Sequence, residues 1–487
     1  MLPSGLAVPD KGLRSDSIGL WSNMAIGLSA TAPAYSLAAT LGYVVAAVGA
    51  KAPAMFAVAF VPMLLVAFAY RELADENPDC GTTFTWGTRA FGPWVGWMGG
   101  WGVAVSAIIV LANVAEISAQ YLLRVLTLDS LADDTLVTAS FGALLIAAMT
   151  WVSYRGIVVS ERLQNVLMAV QFVVLVGAAV VALAMVWAGD AGPQAVRPRW
   201  SWLDPTGLSA SQLAAAVILC IFLYWGWDAC LAVGEETRDA SRTPGLAAVL
   251  STVVLLGTYV LVAFAVQAIA GFGSTGTGLG NAAHHDDVLT VLGRPVGGPI
   301  LAALLMLLVA LSALGSTQST VLPTARGTLA MAVYKAAPDR FARVHPRFQT
   351  PSFGTLVMGA SALAFYVVMS VFSRDALGDS ISSLGLAVAF YYGVTAFACA
   401  WHFRRTALSS FRNLLLRMIF PLLGGIAMVW AFAQSCRDML APSYGATSFG
   451  PIGGVFVMGV GMLVLGVPLM IACAVHRPGF FRGRVDI

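Results

Sequence analysis

The feature that most constrains this chain is a series of long apolar runs, each of a length that crosses a lipid bilayer. Twelve can be marked out. The first six lie at Ser17–Val48, Pro53–Tyr70, Trp94–Leu126, Leu136–Tyr154, Leu163–Trp187 and Gln212–Gly234. The second six lie at Gly245–Ala270, Gly298–Tyr334, Phe353–Phe372, Ile381–Phe403, Leu414–Gln434 and Gly450–Val475. A spanning helix needs about 17–25 mostly apolar residues. Backbone in lipid must also satisfy its own hydrogen bonds, and for single runs of this length only the helix does so. Composition supports the same reading: 59% of the 487 residues are hydrophobic and 10% are charged, against about 25% charged in soluble domains. The sequence therefore predicts an all-α polytopic membrane protein with 12 transmembrane helices, whose surroundings are the lipid bilayer.

Lys and Arg set the expected orientation. With the N-terminus placed in the cytoplasm, 20 of the 27 basic residues fall on inner segments or inner helix ends. That is the bias of the positive-inside rule. A wrong helix count would scramble it. The expected layout is a cytoplasmic tail at 1–16, a core at 17–403, two additional helices at 404–475 and a cytoplasmic tail at 476–487, in the plasma (inner) membrane. No signal-peptide cleavage site is read before the first apolar run. No basic stripe points to nucleic acid.

Two carboxylates fall inside spans, Glu116 and Asp228. An ionisable group at membrane depth is expensive and usually faces a pathway or a partner. The six cysteines form no CxxC pair and mostly sit in apolar runs, so they read as small buried hydrophobes. His284, His285, Asp286 and Asp287 form a cluster in a Gly-rich external loop and read as solvated. There is no nucleophile elbow, phosphate loop or zinc spacing, so the chain is expected to be no enzyme and to carry no cofactor and no metal.

Two spans carry weak points. The first contains Gly27-Leu28-Ser29-Ala30-Thr31-Ala32-Pro33, in which Pro33 cannot continue a helix and Ser29, Thr31 and Ser36 offer hydroxyls to freed backbone groups. The sixth contains Tyr224-Trp225-Gly226-Trp227-Asp228. Breaks in corresponding helices of two halves are the best sequence pointer to a transporter's site. Free amides at such a break attract a carboxylate, and free carbonyls attract an ammonium. Two breaks that face each other would suit a zwitterion.

Four motifs in order at the span boundaries carry a resemblance. Tyr70-Arg71-Glu72-Leu73 leads to Pro78-Asp79-Cys80-Gly81-Thr82-Thr83-Phe84. Phe91-Gly92 and Gly100-Trp101 follow. Gly226-Trp227-Asp228 precedes Glu235-Glu236-Thr237 and Pro244. Arg326 precedes the tract from Lys335 to Thr350-Pro351. From about Ser17 to about Phe403 the chain resembles the amino acid–polyamine–organocation superfamily of permeases. That resemblance implies a leucine-transporter-like fold of 5+5 inverted repeats with discontinuous helices 1 and 6, working by alternating access.

By position, the resemblance places substrate contacts at Gly27, Leu28, Ser29, Ala30 and Thr31, at Phe222, Trp225 and Gly226, and at Asp228. Asn113 and Glu116 are added as candidates from the third span. Phe222 would be a gating aromatic, Glu235 an inner gate, and Asp228 the proton-coupling carboxylate. Tyr391 and Tyr392 resemble pathway-facing positions and read more simply as packing. Gln171 stands where some proton-coupled members have Lys, so that route is closed here. Ser316 and Thr317 would offer hydroxyls to sodium as in sodium-coupled relatives. The expected function is secondary active transport of an amino acid or related amine, proton-coupled. The alternatives are an exchanger or a non-transporting sensor of the same fold. The expected oligomeric state is monomer or homodimer.

Overall fold

The computed structural model describes residues 11–13, 16, 18–156, 161–281, 288–372 and 376–483, so the histidine-aspartate cluster at 284–287 lies outside the described residues. Helices dominate. In chain order they are α1 (Leu20–Thr31), α2 (Pro33–Val48), α3 (Ala52–Glu76), α4 (Thr83–Phe91), α5 (Pro93–Val125), α6 (Asp129–Ala132), α7 (Thr135–Tyr154), α8 (Glu161–Ala188) and α9 (Ala210–Tyr224). They continue with α10 (Ala229–Ala232), α11 (Thr243–Ala270), α12 (Val288–Val333), α13 (Ser352–Phe372), α14 (Ala376–His402), α15 (Phe411–Leu414), α16 (Phe420–Met439), α17 (Gly454–His476) and α18 (Pro478–Phe481). A two-residue hairpin, Ser448–Phe449 with Ile452–Gly453, caps the loop before α17.

Among the described residues, ten helical stretches are long and apolar enough to cross a membrane. The first of them, Leu20–Glu76, contains two passages, α1–α2 and α3. The interrupted pair α9–α10 makes one more. The layout is consistent with the twelve spans read from the sequence.

Local chemistry explains where the helices stop. Pro33 disfavours helical backbone at the residue before it, and Ala32 accordingly adopts the left-handed conformation (φ 49°, ψ 68°) that separates α1 from α2. A non-glycine residue held there costs about 1–2 kcal/mol. In the sixth span, Trp225 is extended and Gly226 takes φ +112°, which divides α9 from α10. A third interruption lies inside α12, at Gly297 and Gly298, close to the expected start of the eighth span. A π-turn, Leu415–Ile419, joins α15 to α16.

The helices differ in what surrounds them. The central α5 and α14 are mostly buried, and α5 packs on α12 and α14. The outer α7, α8, α13 and α17 show apolar side chains outward, such as Val173 and Val371. Hydrophobic residues on both faces are what lipid surroundings demand. The second span is longer than expected, because α3 continues beyond Tyr70 to Glu76. Its last turns are charged, and Glu72 there takes Arg412 and Arg417, each at 2.6 Å. The motif loop after α3 likewise forms a helix, α4, packed between α5 and α14.

Candidate functional site

The two interruptions meet. A Cβ placed on Gly226 would lie 2.7 Å from both the carbonyl carbon of Ala30 and the amide nitrogen of Thr31. Only a glycine lets these two backbones come so close, and its positive φ asks for one too. A Cβ on Gly27 would lie 3.0 Å from the Trp227 carbonyl oxygen. The freed carbonyls are served by hydroxyls: Ser316 donates to Ala30 (2.8 Å) and Ser36 to Thr31 (2.5 Å). Thr31 itself donates back to Gly27 at 2.9 Å, and Ser29 shares a 3.0 Å bond with Ser319.

Directly below this crossing lies Asp228. Its two carboxylate oxygens each accept one phenol hydrogen, from Tyr391 and Tyr392, both at 3.0 Å. The Trp225 indole donates to the Tyr391 hydroxyl at 2.6 Å. The break therefore supplies an indole, a phenol and a carboxylate in a relay. Tyr70 and Trp227 pack on the Tyr392 ring. A cavity opens beside the group, lined by Ala30, Trp225, Asp228, Ser319, Thr320 and Tyr391, and it continues to Cys80 and Gly81 at the end of the bundle near Lys11, the inner end in the orientation expected from the Lys and Arg bias. One carboxylate, aromatic faces and hydroxyls form a lining suited to an ammonium group.

On the opposite side the break is closed. Phe222 packs edge-on against Tyr35, with centroids 6.1 Å apart, and both are buried. The Tyr35 hydroxyl donates to Asn113, whose amide donates to Ser380 at 2.9 Å. Asn113 thus belongs to the seal behind Phe222 and does not line the cavity.

Several expected contacts lie elsewhere. Gly27, Leu28 and Ser29 sit inside α1, one turn before the break, where helical geometry already commits backbone amides. The non-helical residue is Ala32 instead. Glu116 faces away toward α13, accepting from the Tyr366 hydroxyl and from Gln120 (3.1 Å). Thr317 donates to its own helix at Ala313 (3.2 Å), while Ser316 reaches across to Ala30. Gln171 lies in a small polar pocket with Ser29, Ser312 and Gln318.

The inner end holds a lock whose lysine the sequence reading missed. Lys11 is buried between Glu235 (2.6 Å) and Asp79 (2.9 Å). Tyr334 donates to Asp79 at 2.6 Å, and the Cys80 amide donates to Glu235 at 2.7 Å. Beside it Arg326 holds Glu236 at 2.5 Å. Burial alone would lower the ammonium's pKa, but the neighbouring carboxylates more than offset this and hold it above the ordinary lysine value. Ligand-type atoms of Asp79, Cys80 and Glu235 lie within 4.8 Å of one another, yet the Lys11 ammonium already occupies two of them. Ile18 is bonded on both sides to the segment after α10, through the Glu236 carbonyl (3.1 Å) and the Arg238 amide (2.8 Å). A lone lysine in a polar tail gives no signal of this; Asp79 and Glu235, both in motifs, were the visible half.

A family model described as amino acid permease matches residues 18–473, nearly the whole chain. The chain belongs to the amino acid permease family. An uncharacterized transporter of Mycobacterium tuberculosis is 30% identical to this permease over 464 residues, 94% of this chain and 92% of that one. The methylthioribose transporter of Bacillus subtilis is 25% identical, over 65% of this chain and 68% of its own. The low-affinity putrescine importer PlaP of Escherichia coli is 25% identical, over 66% and 69%. Among solved structures, MhsT in complex with L-phenylalanine superposes with a TM-score of 0.60 at 19% identity, covering 85% of this chain and 98% of that one. The fold is leucine-transporter-like, and the permease is a member of the amino acid–polyamine–organocation superfamily.

Proposed function

We propose that this permease is a secondary active transporter that moves an amino acid or related amine across the plasma membrane by alternating access, with uptake coupled to protons. The observation that carries the reading is the contact of the two broken helices at Gly226, with the Asp228 carboxylate beside it. Asp228 is the group on which a proton and a substrate ammonium would compete. The relatives named for putrescine and methylthioribose, and a Bacillus subtilis branched-chain amino acid permease, support a small polar or amine-bearing solute. The bias of Lys and Arg supports cytoplasmic termini. In that orientation Phe222 and Tyr35 close the outer side, and Lys11 with Glu235 closes the inner side.

Exchange is the second reading. It is favoured by Gln171, whose side-chain nitrogen is buried with no hydrogen-bond partner among the described residues. A neutral amide in that pocket supplies no titrating partner for Asp228.

The test is uptake into liposomes by purified protein, with labelled neutral, cationic and acidic amino acids and polyamines, each with and without an inward proton gradient. One class should accumulate under the gradient. Asp228→Asn should abolish accumulation while leaving counterflow of the same solute measurable. Accumulation that ignores the gradient but follows a preloaded amine would favour exchange. If no solute moves in either assay, the transport reading fails.

A further inference from the structure

A second concave feature lies on the lipid-facing side of the bundle between α14 and α16, lined by residues that flank Tyr391 and Tyr392 along α14 but by neither tyrosine. Its volume is about 660 Å³. Its floor on α14 follows one helical face, with Ala389, Gly393 and Ala400 keeping it open and Phe397 between them. The opposite wall comes from Met418 in the π-turn and from Leu422 and Val429 of α16. Val429 and Trp401 are half exposed. From Ala389 to the end of α14 at His402 is thirteen helical steps, about 20 Å, longer than the ~15 Å depth of one leaflet's hydrocarbon, and Arg404 lies in the turn beyond. The groove is apolar along its length except at that rim.

The rim is basic. Arg404 lies 4.1 Å over the Trp401 ring and gives one guanidinium nitrogen to the Trp401 carbonyl (2.6 Å). Among the described residues neither Arg404 nor the adjacent exposed Arg405 forms an ion pair. Nearby Arg412 and Arg417 differ, since both are held by Glu72. An apolar slot at membrane depth with the Arg404 guanidinium at its mouth and exposed Arg405 next in the chain matches one class of ligand. Chains would lie along α14, and a phosphate would meet the arginines, which suit it better than lysine would.

We propose that this groove is a binding site for an anionic phospholipid of the cytoplasmic leaflet, with one acyl chain along Ala389, Gly393 and Ala400 and the headgroup phosphate on Arg404 and Arg405. The site rests on the orientation argued above, which puts this rim in the leaflet where anionic headgroups attract basic clusters. A second copy of the chain is the competing occupant. The arginines favour lipid, because a like surface would bring the same two cations, and Glu76 nearby is already held by His402 (3.0 Å).

The test is native mass spectrometry and thermal melting of full-length protein in neutral detergent. It is titrated with phosphatidylglycerol or with phosphatidylcholine of identical chains. Phosphatidylglycerol should stay bound and raise the melting temperature more than phosphatidylcholine. Arg404→Gln with Arg405→Gln should reduce that preference about thirty-fold, as expected for about 1 kcal/mol per arginine near a surface. Arg437→Gln, an exposed arginine at the other end of α16, should leave it intact. Val429→Trp should displace both lipids by filling the groove. Equal retention of the two lipids by the wild type would overturn the proposal, as would a dimer broken by Val429→Trp with no lipid bound. Uptake of solute is read separately, so failure here and failure of the transport reading are distinguishable.

Discussion

Gly226 holds two backbones in contact, and the cost of any side chain there can be argued directly. A methyl group would meet Ala30 and Thr31 at 2.7 Å and would also be forced into a positive φ. Overpacking costs about 1–3 kcal/mol, before the backbone strain is added. Gly226→Ala should therefore lower the melting temperature clearly and abolish uptake, while Gly257→Ala, where a Cβ meets nothing within 4 Å, should change neither. Tyr391 and Tyr392 allow a finer measurement. Each gives its only hydroxyl to Asp228, and a hydrogen bond to a charged group is worth about 1.5–3 kcal/mol. Tyr391→Phe and Tyr392→Phe should each slow uptake about tenfold or more. The double variant should lose less than the product of the two, because they serve one carboxylate. Equal and independent losses would mean that the two phenols act apart from Asp228.

At the scale of elements, the inner end is held by a tail and two loops. Ile18 straps the segment before α1 to the segment after α10, and Lys11 closes onto Asp79 and Glu235. Its ammonium pKa is raised, so the stabilisation is fully present below the ordinary lysine value near 10.4. It is lost only as pH rises through the higher folded value. Alkaline conditions up to about pH 9 should leave the lock closed, and substitution should open it. In a protein keeping Cys80 as its sole cysteine, Lys11→Gln should raise maleimide labelling of Cys80 about tenfold or more, since the Cys80 side chain is buried behind the lock. Unchanged labelling would show that Arg326 and Glu236 suffice to seal this end.

Across the whole molecule, what could be read in advance follows from how local each signal is. Spans are legible because lipid requires an unbroken apolar stretch, and the breaks are legible because Pro33 and Gly226 act on their own backbones. The partner of a side chain is not legible when it lies hundreds of residues away. Glu116 was readable as a costly charge but not as a ligand of Tyr366, 250 positions on. Asp228 was readable as a site candidate, while the two tyrosines that hold it looked like packing. The break in the first span was placed correctly near Pro33, and Gly27 through Ser29, read as substrate contacts, lie within α1 one turn before it. The proline rule says only that Ala32 leaves the helical region, and the left-handed value it takes there is set by the fold.

Lys11 has one further consequence, concerning the order in which the protein is made. Synthesis runs from the N-terminus, so this residue leaves the ribosome early, while Asp79 and Glu235 follow 68 and 224 positions later. Its second carboxylate partner, Glu235, does not exist until nearly half of the chain has been made. In the orientation proposed above, the ammonium that fastens the finished protein would stand first as a cation on the cytoplasmic flank of the first helix, and a substitution at this position would be expected to act on insertion as well as on the lock.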